Sequence, residues 1–378
     1  MGNMLLKNPF RILIGFALCL NINTSQAITA TVKGSLPSSV CECSGLDFNG
    51  NASFWTHNDG FGDNRLYKVG MTGGLQQTLT ITGATNYDWE DLTHDANRDH
   101  LFIGDFGNNN CDRTNLRIYK IPYPNSSTTT VSPEIIEFTF SDQTDFPSAW
   151  MNFDVEAFLH FNGRLYLFTK ADGAAIGYTK MYSLSENAGT KVAHLVDSFY
   201  TNDRTTAADI SPSGDAMILM SNSHIHIFKN FSGSDFFGGD HTQVNISGSW
   251  TQKEAVAFTS DNEIYIGDED NGNGNNVYYL SLSNYIAPST TTAVNEVENS
   301  SANVYPNPAT EIIHFDLSKQ FNSITVQLYD ITGKMVATSS FSKAQEMVMD
   351  INRFSPGIYF YKLITDGSLL KTERIVLQ

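Results

Sequence analysis

Basic residues, cysteines and long apolar runs are scarce in this chain of 378 residues. It has 23 Lys and Arg against 40 Asp and Glu, for a net charge of −17. Binding to nucleic acid or to an anionic membrane needs a basic surface, so this charge argues against both and is compatible with cations as partners. No GxSxG or HExxH motif occurs, which leaves serine-hydrolase and zinc-protease activities without motif support.

The only long apolar run lies at the N-terminus. Lys7 and Arg11 supply positive charge around the run Ile12–Leu20, and Ser25-Gln26-Ala27 offers small residues for cleavage. The run is too short to span a bilayer as a stable helix. We therefore predict a secretory signal peptide at residues 1–27 and no transmembrane segment in the mature form.

Aromatic residues are abundant, and a short motif recurs five times. Each copy has an acidic or small residue, then Ala, Gly or Asp, then an apolar residue, and a short strand begins about ten positions later. The copies start at Ser44, Glu90, Glu156, Ala208 and Glu254, so their spacings are 46, 66, 52 and 46 residues. A period near fifty that carries only strands is typical of a β-propeller. We predict an all-β fold with the propeller at residues 28–286.

The number of blades follows from the last copy. The fifth copy has three strands, and the segment Ile28–Leu36 offers a spare strand before the first copy. Pairing of that segment with the fifth copy would close the ring without an open edge, which predicts five blades. A sixth blade within the longer span between copies two and three is the alternative.

Three cysteines, Cys41, Cys43 and Cys111, follow the predicted signal peptide. An odd count in an exported chain suggests one disulfide and one free thiol. In a propeller the loops that carry them share a face, so we predict a Cys43–Cys111 disulfide. A soft metal bound by Cys41 and Cys43 is a weaker alternative, because no His or fourth Cys lies near them in sequence.

The C-terminal part differs from the propeller. Residues 287–302 are polar, and we interpret them as a linker. In residues 303–378 apolar and polar residues alternate along short strands, which predicts a small Ig-like β-sandwich. The segments that identify it are VYPNPA (Val304–Ala309), LYDITGK (Leu328–Lys334), SPGIYFYKL (Ser355–Leu363) and a terminal KTERIVLQ. They resemble the C-terminal sorting domain of the type IX secretion system of Bacteroidetes. The resemblance implies recognition by that machinery, export across both membranes, frequent removal of the domain, and a final location that is extracellular or on the cell surface.

In a propeller, the start of each first strand and the end of each second strand converge at one end of the central channel, here called the channel mouth. Polar and acidic residues are dense at these positions: Ser44, Asp59, Asp88, Asp105, Asp154, Lys170, Lys253 and Asp268. Repulsion among such carboxylates is relieved by a raised pKa, a basic partner or a bound cation.

Oxygen ligands without His or Cys favour a hard cation, Ca²⁺ before Mg²⁺. We predict that Ca²⁺ is bound by Glu90, Glu156, Glu254 and Asp209. The alternative is that acidic residues here only bond backbone N–H groups of neighbouring blades. The segment GDEDNGNGNN (Gly267–Asn276) lacks the spacing of an EF-hand and is interpreted as a polar hairpin.

His57 is the candidate general acid or base, because WTHND places it at the channel mouth beside Asp59. Glu156 is the second catalytic candidate. His224 and His226 share a strand face, and without a third ligand they are interpreted as surface residues.

Over residues 41–282 the order SGL…WTHND, DWEDL…LFIGDFGNNN, DVEAF…LYLFTK, TAADISPSG and EAVAF resembles the secreted propellers grouped as SdiA-regulated and esterase-like phytase proteins. By this resemblance Glu90, Glu156 and Glu254 occupy the channel-glutamate positions. Ser44 and Ala208 depart from the pattern, so a symmetric ring of five carboxylates is excluded.

Two functions follow from these observations. The first is a Ca²⁺-stabilised extracellular propeller that acts as a scaffold or binds a glycan, a peptide or another small molecule. The second is a metal-dependent hydrolase of phosphoesters, esters or lactones. The scarcity of Arg at the predicted mouth counts against a phosphate substrate.

Overall fold

The computed structural model describes residues 27–60, 62–148, 152–171, 177–247, 251–270, 272, 274–286, 302–331, 334–366 and 368–378. Strands dominate this part of the chain, which contains no α-helix. The predicted signal peptide and linker fall outside the described residues, except for Ala27 and Ala302, which belong to strands. The N-terminal segment forms β1 (Ala27–Thr29) and β2 (Thr31–Ser35).

The first two blades are antiparallel sheets. Blade one consists of β3 (Cys43–Phe48), β4 (Ser53–Asn58), β5 (Arg65–Gly70) and β6 (Leu75–Ile81). Blade two consists of β7 (Trp89–His94), β8 (His100–Asp105), β9 (Arg117–Pro122) and β11 (Glu134–Phe140). The short β10 (Thr130–Val131) pairs in parallel with β6 and extends blade one.

Three further blades follow. Blade three contains β12 (Val155–Phe161), β13 (Arg164–Thr169), β14 (Tyr178–Ser185) and β15 (Gly189–Tyr200). Blade four contains β16 (Ala207–Ile210), β17 (Ala216–Met220), β18 (His224–Lys229) and β19 (Asp240–Ser247), with a 3-10 turn at Phe236–Gly238. Blade five contains β20 (Lys253–Ser260), β21 (Glu263–Asp268) and β22 (Asn276–Ser281). The outer strands β11 and β15 pair in parallel, so blades two and three share one eight-stranded sheet.

The ring is closed and has five blades. Each inner strand contacts the inner strand of the next blade in the cyclic order β3, β7, β12, β16, β20 and back to β3. One apolar cluster fills each of the five gaps between blades. No strand that could belong to a sixth blade lies between β11 and β12 in the described residues.

Burial patterns explain the order of strands within a blade. All of β12 except its last residue is buried, because an inner strand is covered by the adjacent blades on both faces. Outer strand β11 instead alternates, with Ile136, Phe138 and Phe140 buried and Glu137 exposed. A strand with one solvated face has this period of two.

The N-terminal segment serves two blades. β2 lies antiparallel to β22, with Thr31 opposite Tyr279, and completes blade five as predicted. β1 pairs in parallel with β19 and extends blade four, with Ala27 opposite Asn245. The single predicted strand is thus divided, and both edges that it covers are protected from pairing with other chains.

The C-terminal domain is a two-sheet sandwich. Its strands are β23 (Ala302–Tyr305), β24 (Ile312–Phe321), β25 (Ile324–Asp330), β26 (Met335–Phe341), β27 (Ala344–Asp350), β28 (Gly357–Thr365) and β29 (Ser368–Leu377). One sheet has the order β23-β24-β27 and the other has the order β26-β25-β28-β29. Phe315, Val326 and Leu363 are among the buried residues between them.

The sandwich contacts blade three through a buried ion pair. Nη1 of Arg164 in β13 lies 2.5 Å from Oδ2 of Asp316 in β24, and both side chains are less than a tenth exposed. Nη2 of Arg164 donates to the hydroxyl of Tyr305 at 3.1 Å. The rings of His194 and His314 meet beside this pair, with centroids 4.3 Å apart.

Candidate functional site at the channel mouth

Three equivalent positions in each blade supply the channel mouth. Asp88 and Asp154 precede a first strand, and Glu90 is the second residue of β7. Asp59 follows the second strand of blade one, and its N–H donates to the carbonyl of Glu42, the residue before β3, at 2.8 Å. The same backbone bond recurs in two other blades and fixes the equivalent residues Lys170 and Glu269 at the same end of the ring.

Seven carboxyl groups from four blades surround this opening: Asp59, Asp88, Glu90, Asp154, Glu156, Glu254 and Glu269. Oxygen atoms of Asp59, Asp88 and Glu90 all lie within 4.8 Å of one another, and so do oxygen atoms of Asp59, Glu254 and Glu269. Asp59 is common to both groups. Glu90 and Glu254 are buried, and Asp59 is half-buried, so the carboxyl groups reach from the wall of the channel to its rim.

Positive charge at the mouth is sparse. Lys170 pairs with Glu156, with Nζ 2.6 Å from Oε1. Burial lowers the Lys170 pKa, but attraction to Glu156 and Asp154 outweighs burial and holds the pKa above its usual range. Arg113 lies at the rim and pairs with Asp105 at 3.0 Å. Two basic groups therefore face seven carboxyl groups.

The carboxyl groups raise one another's pKa. Burial, followed by repulsion from Glu156 and Asp59, places the Glu90 pKa well above its usual range. Burial together with repulsion from neighbouring acids raises the pKa of Asp59 to about 7, that of Asp88 to about 6 and that of Glu269 to about 9. Without a counter-ion, part of the cluster holds protons at neutral pH.

Two glycines allow the backbone to pass close to the carboxylates without a steric clash. A Cβ at Gly107 would lie 2.0 Å from Oε1 of Glu90 and 2.5 Å from Oδ2 of Asp88. A Cβ at Gly60 would lie 2.3 Å from Oδ1 of Asp88. The backbone approaches these oxygens so closely that any side chain at either position would displace them.

Several predicted mouth residues stabilise the blades instead. Asp105 accepts from the N–H of Asp88 at 3.2 Å and from the Tyr119 hydroxyl at 3.4 Å. Asp268 has the equivalent position in blade five and accepts from the Tyr278 hydroxyl at 2.7 Å.

Lys253 is turned into the wall of the channel. Its Nζ donates to Thr251 Oγ1 at 2.7 Å, and its burial lowers the Lys253 pKa. Ser44 does reach the cluster, where its hydroxyl donates to Glu90 Oε2 at 3.4 Å.

The structure does not place Asp209 with the predicted metal ligands Glu90, Glu156 and Glu254. Asp209 accepts from the N–H of Ile210 at 2.8 Å and from that of Phe258 in blade five at 2.7 Å. Asp91 has the equivalent position in blade two and accepts from the N–H of Phe158 at 3.1 Å. The alternative interpretation, carboxylates that bond the backbone of the next blade, describes these two residues.

His57 is not exposed at the channel mouth. It is fully buried, and its ring meets Trp89 edge to face with centroids 5.6 Å apart. Burial lowers the His57 pKa to about 4, so the ring is neutral at pH 7. The prediction that His57 acts as a general acid or base at the mouth therefore lacks a geometric basis.

The predicted disulfide is wrong, because Cys43 and Cys111 are both free thiols. Sγ of Cys43 lies 3.2 Å from Thr56 Oγ1, in the apolar cluster between blades five and one. Cys111 belongs to the cluster between blades two and three. The two thiols occupy different gaps of the ring.

Sequence reasoning underestimated the residues after the second strands. Asp59 was expected at the mouth but not as a ligand, and Glu269 follows its second strand in the same way without being predicted as a ligand. The shared position of the two residues could have indicated a common role as ligands, because both follow the last residue of a second strand. The sequence did not predict Arg113 at the mouth, because it lies in a loop outside the repeated motif.

The comparison with known families indicates an exported protein. Residues 303–378 match the family described as Secretion system C-terminal sorting domain. This confirms the predicted sorting domain and indicates export to the cell surface or the extracellular space. Within the described part of the chain, no helix has the length and apolar character of a membrane span.

Structural similarity of the whole chain is limited. It resembles the structure of U3-55K at 12% identity, with a TM-score of 0.33, over 66% of this chain and 64% of that one. It also resembles the RRP9 WD40 repeats at 11% identity, with a TM-score of 0.33, over 67% and 66%. The chain thus spans just under two thirds of each of these proteins. The comparison with curated proteins gave no match.

Proposed function

We propose that the protein is a secreted ligand-binding or scaffold propeller whose channel mouth binds Ca²⁺. The observation that carries this proposal is the excess of carboxyl groups over basic groups at one opening. Burial of ionised carboxylates without partners costs several kcal/mol each, by the general magnitude of such effects. A divalent cation would remove this cost.

The donor set fits a hard cation. All candidate ligands in the two groups are carboxylate oxygen atoms, and neither group includes a His or a Cys. Asp59, Asp88 and Glu90 would hold the ion, and Asp59, Glu254 and Glu269 offer a second position. Flexible carboxylate cages of this kind suit Ca²⁺ better than the strict octahedron of Mg²⁺.

A bound cation would supply positive charge and open coordination sites at the rim. Asp59 is half-buried and marks the boundary between the channel wall and solvent. A ligand with hydroxyl or carboxylate oxygens, such as a glycan, a peptide or another small molecule, would then bind at this opening.

A metal-dependent hydrolase is the second candidate function. The observation that favours it is the position of Glu269 and Glu156 near the candidate ligands Asp59 and Glu90, with burial raising the pKa of both. A carboxyl group that keeps its proton near neutral pH can serve as a general acid or base. With His57 buried and Asp59 bound to the metal, Glu269 and Glu156 would transfer the proton.

Calorimetry and thermal unfolding of the full chain with Ca²⁺, Mg²⁺ or chelator test the first proposal. Ca²⁺ at about 100 times its Kd should stabilise the fold by about 2.7 kcal/mol, which raises Tm by several degrees. Glu90→Gln should lose this response and unfold at a higher temperature than the wild type in chelator, because Gln removes the cost of either burying that charge or neutralising it with a proton. The exposed Glu137→Gln should behave like the wild type. Unchanged Tm in saturating Ca²⁺ would refute the proposal.

The second candidate is separated from the first by turnover. Hydrolysis of phosphoester, ester and lactone substrates is measured for the Ca²⁺-loaded wild type and for the Glu156→Gln variant. This substitution keeps the shape of the side chain and removes its charge. Turnover that is lost in Glu156→Gln supports a hydrolase. Ca²⁺ binding without turnover supports a binding protein.

A further inference from the structure

The opposite end of the channel contains a cavity of about 270 Å³. The inner strands all run away from the mouth, so their last residues meet at this distal end. Glu90 and His94 belong to the same strand and are four residues apart, about 13 Å at the usual rise per residue. The cavity is therefore separate from the carboxylate cluster, and residues from blades two, three, four and five line it.

His94 lines the cavity with a fixed ring. Its Nδ1 bonds Oδ1 of Asp47, which is buried and also accepts from the Tyr123 hydroxyl at 2.6 Å. Nε2 of His94 forms no hydrogen bond with any residue that the structure describes. Burial lowers the His94 pKa, but the charge and hydrogen bond of Asp47 outweigh burial and raise that pKa above its usual value. A ring protonated on both nitrogens donates from Nε2 to a ligand.

Arg98 supplies the permanent positive charge of this cavity. It lies in the hairpin between β7 and β8 with φ of 55°, a left-handed conformation that glycine or asparagine adopts at lower cost. Its Nε and Nη2 donate to the carbonyl of Phe48 at 3.3 and 2.9 Å. These bonds hold the guanidinium at the rim of the cavity, beside the hydroxyl of Tyr123.

The remaining lining combines apolar and polar side chains. Asp209 is the one acid among the described lining residues, and the uncharged polar residues and second histidine are Thr93, His160, Asn162, Ser211 and Ser213. Phe161, Ile210 and Phe258 contribute hydrocarbon surface. Asp209 also lines the cavity, but both of its oxygens already accept backbone N–H groups, and burial raises the Asp209 pKa to about 7. Small-molecule sites typically combine such apolar walls with a few fixed polar groups.

We propose that this cavity binds a small carboxylate with an apolar body. The ligand's carboxylate meets Arg98 and His94, and its body packs against Phe161, Ile210 and Phe258. The Arg98 guanidinium and the protonated His94 ring would donate to the carboxylate oxygens, while the three apolar side chains would cover the body of the ligand. The site is independent of Ca²⁺ at the mouth.

Titration of the full chain with benzoate, followed by calorimetry, tests the proposal. Benzyl alcohol and benzylamine serve as neutral and cationic probes of the same size. Saturable benzoate binding is expected, with benzyl alcohol at least tenfold weaker. Arg98→Gln and His94→Gln should each weaken benzoate at least tenfold, and Arg98→Lys should weaken it less. Arg65→Gln, which removes a surface arginine of blade one, should bind like the wild type.

Thermal unfolding of each variant verifies that it is folded. Absence of saturable benzoate binding to the wild type would overturn the proposal. Equal affinity of wild type and Arg98→Gln would also overturn it, since the carboxylate would then bind elsewhere. Preference for benzylamine would show that Asp209 selects a cation instead.

Discussion

Glu90 shows what a single residue contributes to the channel mouth. It is 3% exposed, and the hydroxyl of Ser44 at 3.4 Å is the hydrogen bond donor recorded for it among the described residues. Repulsion from Glu156 and Asp59 adds to the cost of its charge. A carboxylate in this position binds a proton or a cation, and the two compete for the same oxygens.

This competition predicts how stability depends on pH. The pKa of Asp59 rises from 3.8 to about 7, and that of Glu269 rises from 4.5 to about 9. Between the unfolded and folded values the folded state binds more protons, so unfolding becomes easier as pH rises. In chelator, Tm should therefore fall between pH 5 and pH 8, and Ca²⁺ should raise Tm more at pH 8 than at pH 5.

Scanning calorimetry over that pH range, with and without Ca²⁺, checks the prediction. Asp59→Asn should flatten the fall of Tm in chelator, because it removes one of the titrating groups. A Tm that rises from pH 5 to pH 8 in chelator would contradict the assignment of these raised pKa values.

Residue type and repeat position together predicted part of the site. Glu90, Glu156 and Glu254 share one position in the motif, and the fold brings this position to one opening. Asp209 was predicted as a ligand together with them, although it is the third residue of its inner strand and Glu90 is the second residue of β7. Asp91 is the third residue of β7 and is therefore the equivalent of Asp209. Successive residues of a strand point to opposite faces, so this shift by one turns Asp209 toward the backbone of blade five.

At the scale of the elements, close approach of a loop shapes the mouth. The loop after β8 passes directly over the acidic cluster, and Gly107 makes the closest approach. Its N–H donates to the carbonyl of Asp88 at 3.2 Å, so the loop is tied to the strand that carries Glu90.

Gly107→Ala should therefore weaken Ca²⁺ binding. The new methyl group would stand 2.0 Å from Oε1 of Glu90 and force that carboxylate to move. We expect a loss of about tenfold in affinity, or about 1.4 kcal/mol, measured by calorimetry. Gly74→Ala is the matched control, because a Cβ there meets no atom within 4 Å. Equal affinities of the two variants would contradict the role of the loop.

The N-terminal segment shows which features of an element can be predicted. The missing fourth strand of blade five required a partner, and β2 supplies it. The pairing of β1 with β19 was not predicted, because blade four already had four strands in sequence. A parallel extension by three residues leaves no signal in the hydrophobic pattern.

At the scale of the whole molecule, the two domains are joined by contacts that no motif reveals. Arg164 and Asp316 lie in separate domains, and each resembles an ordinary surface charge in its own sequence context. The sorting domain itself was predictable because four characteristic segments occur in order. The pairing depends on the docked arrangement of the two folds, which neither segment encodes alone.

Loss of Asp316 should detach the sorting domain from the propeller. In the docked state Arg164 is buried and also bonds Ser183 Oγ at 2.7 Å, so Asp316→Ala leaves its charge without a carboxylate. Removal of one partner of a buried ion pair costs about 3–5 kcal/mol, and undocking returns the guanidinium to water. Small-angle scattering should then show a larger maximum dimension than in the wild type.

The double variant Arg164→Met/Asp316→Leu distinguishes burial of an unpaired charge from loss of the pair itself. Replacement of a buried ion pair by apolar side chains of similar volume is often neutral, so the double variant should remain as compact as the wild type. Lys180→Met/Asp142→Leu, which removes a more exposed pair within the propeller, is the control. If Asp316→Ala also stays compact, then the aromatic contacts of His194, Tyr305 and His314 suffice to hold the domains together, and the ion pair is not what joins them.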